Sequence, residues 1–117
     1  MQSTEQVQVL QDKSGLYIGT LDENGRKEGV GLKLHFSKDQ ELIIAYWKDD
    51  MKDGKGVKLQ SSGIGFCGSW TNDAVDIGGL YFWHDDSVQE VLLSSRGEGF
   101  YQRTYVNGNV ESCFKSN

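Results

Sequence analysis

Hydrophobic and polar residues alternate with a period of two along most of the chain. In "GVGLKLHFS", Val30, Leu32, Leu34 and Phe36 share one face while Lys33 and His35 take the other, which predicts a half-buried strand. The next run, "ELIIAYWKDD", is apolar on both faces, with Leu42, Ile44 and Tyr46 backing Ile43, Ala45 and Trp47. It predicts a central strand covered on both sides. Further strands are predicted in "KGVKLQ", "GIGFCGSW", "GGLYFWH", "VQEVLLSS", "GFYQRTYV" and "VESCFK". Polar turns separate them at 22–28, 37–40, 48–53, 60–63, 71–76, 84–87 and 107–109, and no segment carries a helical stripe. Short strands with this regular punctuation predict an all-β fold, an antiparallel meander of hairpins.

The chain also resembles itself. After Ile43 come Ala45, Trp47, Gly54 and Gly56; after Phe66, at the same offsets, come Gly68, Trp70, Ile77 and Gly79. A third unit starts at Tyr17, with Gly19 and Leu21, and then Gly25, Gly29 and Gly31 each displaced by one residue. A terminal fragment, Tyr101, Arg103, Tyr105 and Gly108, keeps the leading aromatics and loses the glycine pair. The spacing predicts a register. A turn over 48–53 sets Trp47 opposite Gly54, Ala45 opposite Gly56 and Ile43 opposite Lys58, and the next hairpin sets Trp70 opposite Ile77, Gly68 opposite Gly79 and Phe66 opposite Tyr81. A ring lying over a strand partner that has no side chain restores part of the stability glycine costs.

These residues resemble the MORN (membrane occupation and recognition nexus) repeat, whose pattern is approximately Tyr-x-Gly-x-Trp-x-x-Gly, three residues, then Gly-x-Gly. The resemblance covers residues 16–84 and, weakly, 100–108. Asp50 and Asp73 stand at the turn position where the family usually has glycine, and Ala45 and Ile77 replace two other family residues. It implies one domain over 1–117, with repeats at about 16–41, 42–64 and 65–87 and a degenerate terminal segment at 88–117. It further implies a scaffold or adaptor role, with membrane association as a variant.

Around residues 37–40 the alternation pairs Phe36 with Leu42, Leu34 with Ile44 and Leu32 with Tyr46, all on the face opposite Trp47. A single-layer sheet cannot leave that aliphatic face bare. The expected covering is either the tail, through Val88, Val91, Leu92, Leu93, Phe100 and Phe114, or a second copy of the chain.

With 117 residues the chain suits one domain, and its hydrophobic fraction of 37% suffices for a core. Fifteen glycines and no proline fit glycine-punctuated strands. The net charge of −5, without an evident basic patch, argues against nucleic acid and against direct binding to anionic membranes. Cys67 and Cys113 are expected as reduced thiols, with Cys67 a buried small hydrophobe. "MQSTEQVQV" lacks the basic start and apolar run of a secretory signal, so the expected location is cytoplasmic.

By parity, Tyr17, Trp47, Trp70, Tyr81, Trp83, Tyr101 and Tyr105 share one face. They serve either as covers for glycine or as a groove binding a protein or peptide, with Trp47 and Trp70 the more structural and Trp83 and Tyr105 the freer. Carbohydrate stacked on exposed rings is the alternative. Turn acids at 22, 23, 49, 50, 53, 73 and 76 gather toward one edge with Arg26, Lys27, Lys48 and Lys52, as solvated turns or as a site for a basic partner. "DDMKDG" imitates a calcium loop, but Met51 and Gln60 stand where oxygen ligands belong, and no zinc spacing exists. An enzyme would have to be built on His84, beside Asp85 and Asp86, or on Cys67, while His35 reads as a surface residue. No catalytic residue, metal or cofactor is assigned.

Overall fold

The computed structural model describes residues 6–95 and 98–115; the side chains of residues 93–95, 98 and 113–115, Leu93, Cys113 and Phe114 among them, fall outside the described parts. The strands are β1 (Gln8–Gln11), β2 (Gly15–Leu21), β3 (Lys27–His35), β4 (Glu41–Lys48), β5 (Met51–Gln60), β6 (Gly65–Thr71), β7 (Ala74–Val75), β8 (Leu80–Phe82), β9 (Val88–Ser95), β10 (Glu98–Thr104) and β11 (Val110–Lys115). They form one open antiparallel sheet in chain order, with the two-residue β7 pairing aside with β6. The all-β antiparallel meander predicted from the alternation is therefore observed. β1, β2 and β7 are additions to the predicted strands: β2 is marked in the sequence only as the start of the repeat unit at Tyr17, β1 is a short exposed edge, and β7 lies inside a turn.

Turn chemistry decides the register. Asp49 and Asp50 (φ 51° and 66°) and Asn72 and Asp73 (φ 48° and 69°) are both left-handed, the conformation of a two-residue type I′ hairpin turn. Lys48 therefore pairs with Met51 and Trp47 with Lys52, not with Gly54. A bulge follows, in which Asp53, Gly54 and Lys55 oppose the single residue Tyr46 before Ala45 meets Gly56 and Ile43 meets Lys58. Gly54 takes φ 124° there. Likewise Trp70 pairs with Val75 rather than Ile77, while Phe66 meets Tyr81 as the spacing predicts. Around residues 37–40 the pairing lies two residues from the predicted one, with Leu34 opposite Leu42, Leu32 opposite Ile44 and Val30 opposite Tyr46. A shift of two keeps every side chain on its face.

The tryptophans do face glycines, but across the preceding strand. Trp47 lies opposite Gly29, and Trp70 opposite Gly54. The leading rings are the ones that fill the space over glycine pairs. A Cβ on Gly19 or Gly31 would lie 2.5 Å from the Tyr17 hydroxyl, and one on Gly68 or Gly79 would lie 2.8 or 2.7 Å from Phe66 Cζ.

The core is thus one-sided. Tyr17, Ile43, Ala45, Trp47, Phe66 and Trp70 are buried together on the aromatic face, with Leu21, Val75 and Tyr81 packed against them. On the other face Val30, Ile44, Tyr46, Val57 and Leu59 are exposed, so β4 is central in the sheet yet covered on one side only. The tail does not fold back over that face: β9, β10 and β11 extend the sheet at its end. Cys67, on the same face, is correspondingly exposed and free instead of buried. Among the described residues no helix is long and apolar enough to cross a membrane.

Candidate functional site

Strand parity brings the predicted aromatics to one face, but burial divides them. Tyr17, Trp47, Trp70 and Tyr101 are buried, with Trp70 only 2% exposed. Tyr81, Trp83 and Tyr105 are half-buried. Trp47 Nε1 donates to the Gly31 carbonyl at 3.0 Å, and the Tyr17 hydroxyl donates to the Thr20 carbonyl at 2.8 Å. Tyr17 meets Trp47 edge-on at 6.1 Å, and Phe66 packs against both Trp70 and Tyr81, at 4.9 and 4.7 Å. These contacts use the polar tips and faces of the first rings for packing within the chain.

Cations roof the rings, and each cation carries an acid. Lys27 Nζ lies 5.5 Å from the Tyr17 ring centre and 5.7 Å from that of Trp47, and it pairs with Asp50. Lys52 stands 5.7 Å from Trp70 and pairs with Asp73, while Lys58 stands 5.9 Å from Tyr81 and pairs with Glu41. The turn acids do more than dissolve the turns. Asp50 Oδ1 accepts from the Lys27 backbone N–H at 2.7 Å, and Asp73 Oδ1 accepts from the Lys52 N–H at the same distance. Consecutive hairpin tips are laced together by the same contact. Asp22 belongs to its own turn, held well below the usual carboxylate range first by the Arg26 backbone N–H.

The sheet's later half is where the aromatic face opens. A groove of about 330 Å³ runs among Lys58, Gln60 and Ile64 on one side and Tyr81, Trp83, Gln89 and Tyr101 on the other. β5 supplies the lysine and one amide, β8 supplies Tyr81, and β9 and β10 supply the far wall. Burial, with help from the charges on Tyr101 and Glu41, pushes the Tyr81 hydroxyl up to about 12, so it stays a donor through the physiological range. Gln60 donates to Glu41 at 3.1 Å. Trp83 Nε1 is the one buried side-chain polar atom among the described residues that has no hydrogen-bond partner.

Arg103 stacks on Trp83, one of the groove's lining rings. Its guanidinium sits 4.3 Å from the Trp83 ring centre and 4.9 Å from that of Tyr105, bridging the two rings expected to be freest. Asp85 and the fully buried Ser87 hold it, through 3.1 Å and 2.8 Å bonds. Asp85 itself is held below the usual carboxylate range, first by the Ser87 hydroxyl, then by the Ser87 N–H and Arg103. That engagement takes Asp85 away from His84, which is exposed. His35 is pushed down by burial and by Lys33. Among the described residues no three His, Cys, Asp or Glu side chains gather as metal ligands would.

Sequence reasoning singled out the rings and missed their polar companions, Lys58, Gln60, Gln89 and Arg103. The available signal was parity, because Lys58 and Gln60 lie on the same strand face as Gly54 and Gly56. No protein-family model matches the chain, and no curated protein sequence does.

Proposed function

We propose that the chain is a non-catalytic protein- or peptide-binding module of MORN-like hairpins, acting as a cytoplasmic adaptor or scaffold. The groove among β5, β8, β9 and β10 takes the partner. The observation that carries this reading is the groove's composition, with half-buried rings at Tyr81 and Trp83 beside the Lys58 ammonium and the amides of Gln60 and Gln89. A peptide segment offers side chains to the rings and carbonyls to the donors. Tyr17, Trp47 and Trp70 then serve the fold and set the groove's position. The engagement of Asp85 with Ser87 and Arg103 supports a binding role over catalysis at His84.

The same pairing of rings with amides favours a second reading, a site for a sugar ring. Both are tested by selecting random peptides on the immobilised protein and, in parallel, probing a glycan array, then repeating with Trp83→Ala and Gln89→Ala. Peptide binding that weakens about tenfold or more in both variants, with unchanged thermal melting, supports the peptide reading. Glycan binding with the same sensitivity replaces it. Ligands indifferent to both substitutions place binding elsewhere and end both readings.

A further inference from the structure

We propose that two copies of this chain pack face to face through their aliphatic sheet faces, forming a two-fold dimer whose aromatic grooves point outward. Val30, Ile44, Tyr46, Val57 and Leu59 stand on one side of β3, β4 and β5, each between 38% and 55% exposed. Val30, Ile44, Tyr46 and Val57, with Cys67 of β6, line an apolar hollow of about 600 Å³. Apolar surface of this extent on one face of a lone sheet is what sheet-on-sheet packing buries, about 10 Å apart.

Area and shape choose the occupant. The molecule measures 54 by 26 by 26 Å, so the face spans on the order of 1,400 Å², against about 800 Å² per partner in a standard interface. Contact over little more than half the face suffices, which reaches beyond β3 to β6 to Ile18 of β2 and to Phe82 of β8, 44% exposed on the same side by register. The charges on this side are Glu28, Lys48, Asp53, Lys55 and Glu90 by parity, with Asp76 bonded there by Ser69 and Thr71, a mixed set of net −2 in which Lys55 borders the hollow. The acids that give the chain its net −5 sit largely in hairpin tips such as Asp22, Asp49, Asp50 and Asp73. A second copy therefore meets an apolar face of matching extent and the same twist, as a self-complementary two-fold interface requires.

The test is the mass of the full chain by sedimentation at about 100 μM, where an interface of micromolar affinity or better is largely occupied. Twice 13.1 kDa is expected. Ile44→Asp combined with Val57→Asp, both at exposed positions of the single chain, should return the mass to one copy with an unchanged circular-dichroism spectrum. In a Cys113→Ser background, maleimide labelling of Cys67 should be several-fold faster in that double variant. A wild-type mass of one copy overturns the proposal, including the case in which the face captures a foreign protein. So does a dimer that ignores the two aspartates, which would place the contact at the sheet edges. Trp83→Ala should stay dimeric, so loss of groove binding and loss of dimerisation fail separately.

Discussion

Two aspartates hold a backbone conformation that ordinarily favours glycine. Asp50 at φ 66° and Asp73 at φ 69° each bear the strain of a left-handed L-residue, roughly 1–2 kcal/mol, and each returns it through a carboxylate that caps the preceding hairpin's N–H. A charged acceptor on a backbone N–H is worth about 1–3 kcal/mol, while the half-exposed pairing with Lys27 adds under about 1 kcal/mol. Asp50→Ala keeps the strain and loses the cap, so it should cost about 1–2 kcal/mol in urea unfolding. Asp50→Gly loses the cap and sheds the strain, so its cost should be smaller by about 1 kcal/mol. Glycine proving as costly as alanine would show that the carboxylate contributes nothing beyond filling the turn. Tyr81 supplies a titration at the same scale. Its hydroxyl, raised by burial from the ordinary value near 10 to about 12, favours the neutral form in the fold. Its contribution is full below pH 10 and is lost as pH rises from 10 towards 12, by about 1–2 kcal/mol for a ring that solvent partly screens. The unfolding midpoint should fall between pH 9.5 and about 11.5 in the native chain and fall distinctly less in Tyr81→Phe. Equal falls would remove Tyr81 as the cause.

At the scale of strands, close approach is enforced by backbone as well as by rings. A Cβ at Gly68 would meet Phe66 Cζ at 2.8 Å and the Gly79 Cα at 2.9 Å, so the ring could move but the neighbouring strand could not without opening β6 from β8. Gly68→Ala should therefore cost about 1–3 kcal/mol by denaturant midpoint, and Phe66→Leu should not rescue it. Rescue would place the whole clash in the ring. The strands themselves, and which residues share a face, were legible from period two, as Leu32, Leu34, Leu42 and Ile44 illustrate. Pairing across the turns was not, because the left-handed Asp49–Asp50 turn and the bulge opposite Tyr46 depend on backbone torsions that the alternation does not encode. Burial followed the register. Whether a ring covers glycine, as Tyr17 does, or stands half-open, as Trp83 does, depends on which strand lies opposite. Alternation marked the tail as strands too, but not their place at the end of the sheet.

Across the whole molecule, every strand pairs with its neighbours along the chain, apart from the small detour at β7. Stability in such an array is close to a sum of local terms, so its ends open without dismantling its middle. The buried cluster runs from Tyr17 to Trp70 across β2 to β6, whereas the fully described buried side chains of β9 and β10 are Val91 and Tyr101, and Val110 on β11 is exposed. Amides of β9 to β11 should therefore exchange through an opening roughly 2 kcal/mol less costly than that of β4 and β5, resolved by hydrogen exchange at increasing urea. The far wall of the groove belongs to that weaker end, through Gln89 and Tyr101. Occupying the groove should raise protection in β9 and β10 first and leave β3 and β4 unchanged, because a ligand stabilises the openings that destroy its site. One common exchange free energy for β3 to β11 would contradict this, and would mean that the single-layer sheet unfolds as one unit in spite of its linear pairing.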